Sequence, residues 1–386
     1  MVLKCSQRGQ IPPFIVMDVM RAANEREAAG ENVLHLEVGQ PSTGAPSGVI
    51  EATKEVLSRD RLGYTDAFGL PALRERIAVH YADVHDLSVD VSQIVATTGS
   101  SGGFILSFLA AFDPGDRVAV ASPGYPAYRN TLSALGIDVI DLPVGPDTNF
   151  QPTAGVLEQA IGDSDEAIDG LIIASPSNPT GTMIHGDELR DLVGFCEKQG
   201  IRLISDEIYH GITYHGRAET VAALSDDAII INSFSKYFSM TGWRLGWAIM
   251  PRDLIRSVEC LAQNLFISPP APSQHAGIAA FDCTEELESN VRRYAENRKL
   301  LLEKLPAAGF DNLAPAEGAF YIYADVGSLT NNSEEFCRRM LAETGVAATP
   351  GVDFDPGRGN RYVRFSFAGS TADMSEAADR LMAWRR

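Results

Sequence analysis

Between residues 94 and 285 the chain alternates brief aliphatic runs with amphipathic stretches, and this rhythm restricts its folds more than any other feature. VAVAS at 118–122, LIIAS at 171–175, RLISD at 202–206 and AIIIN at 228–232 are short, β-branched and apolar throughout, as strands buried on both faces are. Between two of them, Leu189, Leu192, Val193 and Cys196 share one helical face, with Lys198 near the end and Gly200 as a stop signal. Strand, helix and strand in alternation predict an α/β chain with a mostly parallel sheet flanked by helices. Such sheets bind ligands beyond the carboxyl ends of their strands. The loops at those ends hold residues 99–101, 123–125, Asn178, 206–209 and 233–236, which gather most of the polar residues of interest.

The flanks follow other rules. Val16, Val19, Met20 and Ala23 predict an amphipathic helix ending near Gly30. After residue 285 come a long charged helix, an aromatic strand run AFYIY at 319–323, a helix near 333–344 and a strand YVRFSF at 362–367. The expected division is a large α/β domain over 46–284 and a smaller α+β domain built from 1–45 together with 285–386. The 386 residues can bury an ample core in either part.

The acidic balance, 51 Asp and Glu against 32 Lys and Arg, argues against nucleic-acid or anionic-membrane partners. No stretch approaches the roughly 18 apolar residues of a membrane span. The five scattered cysteines form no C-x-x-C pair, which fits incidental thiols in a reducing cytoplasm. His80/His85 and His210/His215 are five apart, a poor spacing for two metal ligands on one helical face, and read as surface or supporting side chains.

Glycine and serine at 99–103 (GSSGG) admit more than one chemistry. G-x-S-x-G between a strand and a helix is the pattern of a hydrolase nucleophile, here Ser101. Against it, the last histidine is His275, far from the C-terminus, and no HGGG stretch precedes the serine. The same residues could cradle a phosphate at a helix N-terminus, or form a tight turn with no ligand.

Residues 233–247, SFSKYFSMTGWRLGW, place Lys236 just after a buried strand, with Ser233 and Ser235 before it and Arg244 eight residues on. This segment resembles the cofactor-lysine motif of the class I/II aminotransferases, the fold-type I enzymes dependent on pyridoxal 5′-phosphate (PLP). GYTDAFGLPALRERIA (63–78), TTGSSGGF (97–104), SPGYPAYR (122–129), ASPSNPTG (174–181), SDEIY (205–209) and YVRFSF (362–367) resemble the same family in the same order.

The resemblance assigns a role to each residue. Lys236 would carry PLP as a Schiff base and shuttle the substrate proton, which requires an amine that can be neutral near pH 7. Asp206 would hold the pyridine nitrogen protonated. Tyr209 and Asn178 would hydrogen-bond the cofactor's phenolic oxygen, and Tyr125 would stack on its ring. Ser100, Ser101, Ser233, Ser235 and Arg244 would hold the phosphate. Tyr64 would reach the phosphate of a neighbouring subunit, implying a homodimer with shared sites. Arg364 would grip the substrate carboxylate, with Gly39 and Asn178 beside it.

The expected activity is transfer of an amino group from an amino acid to a 2-oxo acid with ping-pong kinetics. A PLP-dependent β-lyase acting on carbon–sulfur bonds is the alternative on the same fold. IPPFIV (11–16) puts Pro13, Phe14 and Ile15 where many relatives carry a small polar pair, and VGQPST (38–43) departs from the usual acidic loop while keeping Gly39. Both point to a neutral or apolar amino donor.

Overall fold

Seven strands make the central sheet of the computed structural model, which describes residues 3–164 and 166–384. Their spatial order is Ile94–Thr97, Gly246–Ile249, Ile229–Ser233, Arg202–Asp206, Gly170–Ala174, Arg117–Ser122 and Asp138–Pro143. Six run the same way, as the alternation predicts. Gly246–Ile249 runs against both of its neighbours. It is joined to Ile229–Ser233 by a loop with no crossover helix, and a parallel return would need a crossover of a dozen or more residues, usually helical. The α/β fold with a mostly parallel sheet and flanking helices is therefore realised, with one reversed strand that the sequence reading did not identify.

Alternation along the strands explains why they are apolar throughout. Leu171 and Ile173 face one core with Leu203, Ile230 and Trp247, while Ile172 faces another with Ile204, Ile231 and Phe108. Successive side chains of a strand point to opposite faces, and helices cover both. One of these, Gly186–Gln199, buries Leu189, Leu192, Val193 and Cys196 and ends at Gly200, whose φ of 71° is the left-handed conformation of a helix stop.

A second sheet orders Thr349–Pro350, Tyr362–Ser366, Tyr321–Asp325 and Asn312–Leu313, all antiparallel. Its core contains Phe320, Phe365, Met340 and Leu301, the last from the long helix Thr284–Lys304. The expected strand at 319–323 begins two residues late because Ala319 sits at φ 54° and donates its N–H to Ile212 O, away from the sheet ladder.

The N-terminal segment joins this second unit. Leu34–His35 pairs in parallel with Val346–Ala347, and Ala23 of the helix Ile15–Ala28 packs with Val33, Leu341 and Ala347. No side chain of its own caps that helix; Asp353 instead accepts from the backbone N–H groups of Ile15 and Val16 at 3.0 and 3.3 Å. No helix of the described residues is long and apolar enough to cross a membrane.

Candidate active site

A cavity of about 230 Å³ opens at the carboxyl ends of the central strands, where loops from the large sheet meet the second sheet and the start of the helix Ile15–Ala28. Into it project Lys236, Asp206, Tyr209, Tyr125, Asn178, Ser100, Ser101, Ser235, Arg244, Gly39 and Arg364. Eleven residues singled out by sequence thus converge from segments up to 325 residues apart, the span from Gly39 to Arg364.

The buried strand Ile229–Ser233 delivers Lys236 from its end. The ammonium donates to Gly39 O at 2.6 Å, and among the described residues no carboxylate is in hydrogen-bond contact with it. Burial, reinforced by Arg364, lowers its pKa to about 8, which makes the neutral amine accessible near physiological pH.

Asp206 ends the strand Arg202–Asp206 and is 4% exposed. Its Oδ2 accepts from the phenol of Tyr128 and its Oδ1 from Ile208 N–H at 3.1 Å. Burial outweighs these bonds and pushes the carboxyl up to about 6. A buried carboxylate in this state favours a cationic partner facing it.

Tyr209 and Tyr321 share a hydrogen bond at 2.6 Å between their hydroxyls. Arg364 donates from Nη1 to Asn178 Oδ1 at 2.7 Å and from Nη2 to Glu37 O and Thr349 Oγ1, while its buried Nε has no partner among the described residues. Its guanidinium carbon lies 4.4 Å from the centre of the Tyr321 ring and 4.7 Å from that of Phe354.

The helix Gly99–Ala111 aims its first turn, with Ser100 and Ser101, into the same cavity. Gly99 has φ 73°, and a Cβ there would lie 2.5 Å from Arg244 Nη2. The glycine therefore lets a guanidinium close on the helix N-terminus, and both are attractive to an anion. Ser233 departs from its expected place: it does not line the cavity, and its hydroxyl lies 2.9 Å from that of Ser235 and 3.2 Å from Leu245 O, behind Ser235. As the last residue of a strand buried on both faces it is turned inward. Tyr64 also lies outside the cavity of its own chain and is 85% exposed.

Around the remaining wall stand Phe14, Val16, Met17 and Val38. Phe14 meets Tyr125 edge to face with ring centroids 5.7 Å apart. Pro13 and Ile15, expected beside it, do not line the cavity: Pro13 precedes the helix, and Ile15, its first residue, points in a different direction from Val16 and Met17 one and two helical steps on. Among the described residues no histidine lines the cavity, so Ser101 has no imidazole beside it there to act as a hydrolase base.

With that geometry established, the sequence profile described as aminotransferase class I and II matches residues 31–381. The chain belongs to the class I and II aminotransferases. It is 50% identical over 381 residues to a valine–pyruvate aminotransferase of Mycobacterium tuberculosis, covering 98% of this chain and 97% of that one. A crystal structure of an aminotransferase from Mycobacterium tuberculosis superposes with a TM-score of 0.96 at 49% identity over 99% of both chains. Aspartate aminotransferase from Thermus thermophilus with maleate superposes at 0.91 with 29% identity, over 99% of this chain and 100% of that one.

Members of this aminotransferase family use PLP, and the cavity suits it. An anion cradle where Gly99 admits Arg244, a buried carboxyl held up to about 6 and an amine lowered to about 8 match a phosphate, a protonatable ring nitrogen and an aldehyde. The sequence reading of this aminotransferase missed Tyr128, Tyr321, Val38 and Phe354. Tyr128 lies in the SPGYPAYR segment, three residues after Tyr125, and its place on the first turn of the helix Pro126–Leu135 was the signal that could have found it.

Proposed function

We propose that this aminotransferase transfers the amino group of a neutral, apolar amino acid to a 2-oxo acid, with Lys236 as the attachment point of PLP and the proton carrier. The convergence of Lys236, Asp206, Arg244 and Arg364 on one cavity carries this reading. When bound, PLP supplies the carbonyl carbon that receives the amino group and a ring that withdraws electrons from the substrate α-carbon.

Asp206, fixed by Tyr128 and Ile208 N–H, pairs with the ring nitrogen and keeps its proton in place. Ser100, Ser101, Ser235 and Arg244 hold the phosphate, and Ser233 orients Ser235 from behind. Tyr125 would stack on the ring, and Tyr209 and Asn178 would hydrogen-bond its phenolic oxygen. Arg364, with Asn178 beside it, binds the substrate carboxylate. With PLP bound, Lys236 would be its attachment point, and its Nζ, a neutral amine when free, would carry the proton taken from the substrate α-carbon. The second half-reaction reverses these transfers with another 2-oxo acid, giving ping-pong kinetics.

The apolar preference is supported by Phe14, Val16, Met17 and Val38 in the lining, which among the described residues offers no arginine besides Arg244 and Arg364 for a side-chain carboxylate. The 50% identical relative named for valine and pyruvate supports it too. Exposed Tyr64 fits a homodimer in which it completes the neighbouring phosphate site.

Single-donor spectra of the PLP-loaded protein test the reading. Valine, leucine and alanine should convert the cofactor to its amino form without an oxo acid, and aspartate and glutamate should do so poorly. Efficient conversion by aspartate alone would overturn the donor class, and release of pyruvate and ammonia from a cysteine conjugate without an acceptor would indicate the β-lyase.

A further inference from the structure

Tyr321 belongs to none of the motifs that identify the family in this chain, yet it touches three components of the site. It starts the strand Tyr321–Asp325 in the second sheet and is 1% exposed. Its hydroxyl is 2.6 Å from that of Tyr209, its ring stacks under Arg364, and a Cβ on Gly39 would lie 1.8 Å from its hydroxyl oxygen. Gly39 in turn accepts the Lys236 ammonium. The glycine at position 39 is thus required by the space that the Tyr321 hydroxyl occupies.

Two phenols joined by one hydrogen bond have two protons, of which only one lies between them. Burial raises the pKa of both tyrosines, so both stay protonated through the neutral range. Between the two hydroxyls either can be the donor. An anionic oxygen placed before Tyr209 takes that residue's single proton, and the bond between the tyrosines then survives only if Tyr321 donates. A phenol that accepts one hydrogen bond donates a stronger one, by about a tenth to a third.

We propose that Tyr321 is a positioning residue whose hydroxyl donates to Tyr209 and thereby directs and strengthens the hydrogen bond from Tyr209 to the cofactor's phenolic oxygen. The inference rests on the reading of Tyr209 given above. Its ring, stacked on Arg364, is a separate contribution that phenylalanine would retain.

The readout is the pH midpoint of the visible absorption change of the PLP-loaded protein. Donation to the phenolic oxygen withdraws electron density that would otherwise hold the proton of the neighbouring nitrogen, so it lowers that midpoint. Tyr321→Phe should raise it by about half a pH unit, less than Tyr209→Phe does. The affinity of the loaded protein for 3-methylbutanoate, a carboxylate without an amine, should stay within about twofold, because the ring over Arg364 remains. A midpoint unchanged in Tyr321→Phe but raised in Tyr209→Phe overturns the proposal alone. A midpoint unchanged in both overturns the role of Tyr209 as well. If Tyr321→Phe is not soluble, Gly39→Ala tests the same point by displacing the hydroxyl: the same upward shift is expected, and an unchanged midpoint refutes the proposal.

Discussion

The Tyr128 hydroxyl donates to Oδ2 of Asp206, joining the first turn of the helix Pro126–Leu135 to the end of the strand Arg202–Asp206. Burial acts against the charge on Asp206, and this bond acts for it. Tyr128→Phe should therefore raise the Asp206 pKa further. Since the carboxylate must be ionised to hold the ring nitrogen's proton, the acid limb of the kcat/KM profile should move to higher pH. Loss of one hydrogen bond to a charged group, about 1.5–3 kcal/mol, is about one to two pH units; from a starting value of about 6 it lowers the ionised fraction at neutral pH about two- to fifteenfold. Initial-rate pH profiles check this, and an unmoved acid limb would show that Tyr128 only fills space.

Lys236 predicts a pH dependence of stability in the cofactor-free protein. Its pKa is lowered from 10.5 to about 8, so between those values the unfolded chain binds more protons than the folded one. Stability from this group is fully present above pH 10.5 and is lost as the pH falls through 8. Relative to Lys236→Met, the wild-type urea midpoint should rise from pH 8 to pH 10.5 and run parallel below 8. Parallel curves across the whole range would mean that the buried environment does not disfavour the ammonium.

Arg364→Lys should separate binding from folding. The guanidinium engages Asn178 Oδ1, Glu37 O and Thr349 Oγ1 at once, and an ammonium cannot reproduce a planar fork. A loss of about 2–3 kcal/mol of carboxylate binding gives a KM for the donor raised about 30- to 150-fold. The PLP absorption band should persist, because no contact to the cofactor is removed. Steady-state kinetics with valine and a spectrum of the resting protein measure both.

Phe14 lines the cavity and packs edge to face on Tyr125. Phe14→Ala removes that contact and apolar surface facing the donor side chain, worth about 1–3 kcal/mol together. The expected result is a kcat/KM lowered about five- to a hundredfold for leucine and less for alanine, whose side chain would not reach the wall. Equal losses for both donors would place the effect in Tyr125 and the cofactor instead.

The site was legible wherever its residues sit at fixed offsets from a strand end. Lys236, Asp206, Tyr209, Tyr125 and the Gly99 turn each follow a short apolar run, and the carboxyl ends of parallel strands share one edge of the sheet, so position along the chain implied position in space. Ser233 obeyed the offset but not the direction, since a residue within the strand end points into the core or out of it by alternation. Gly246–Ile249 escaped the reading because strand direction depends on the connection, and the loop before it carries no periodic signal.

The amino-acid sequence alone determined the α/β architecture, the family and most of the residues around the cavity, because apolar period and motif spacing are local quantities carried by neighbouring residues. Only the tertiary structure decided that Tyr321 meets Tyr209 across 112 positions, that Arg364 reaches Asn178 across 186, and that Gly39 lies against both Tyr321 and Lys236. These contacts arise where the second sheet packs on the loops of the first. A hydrogen bond between two such surfaces depends on ångström-scale packing of whole elements, which no pattern within either segment encodes.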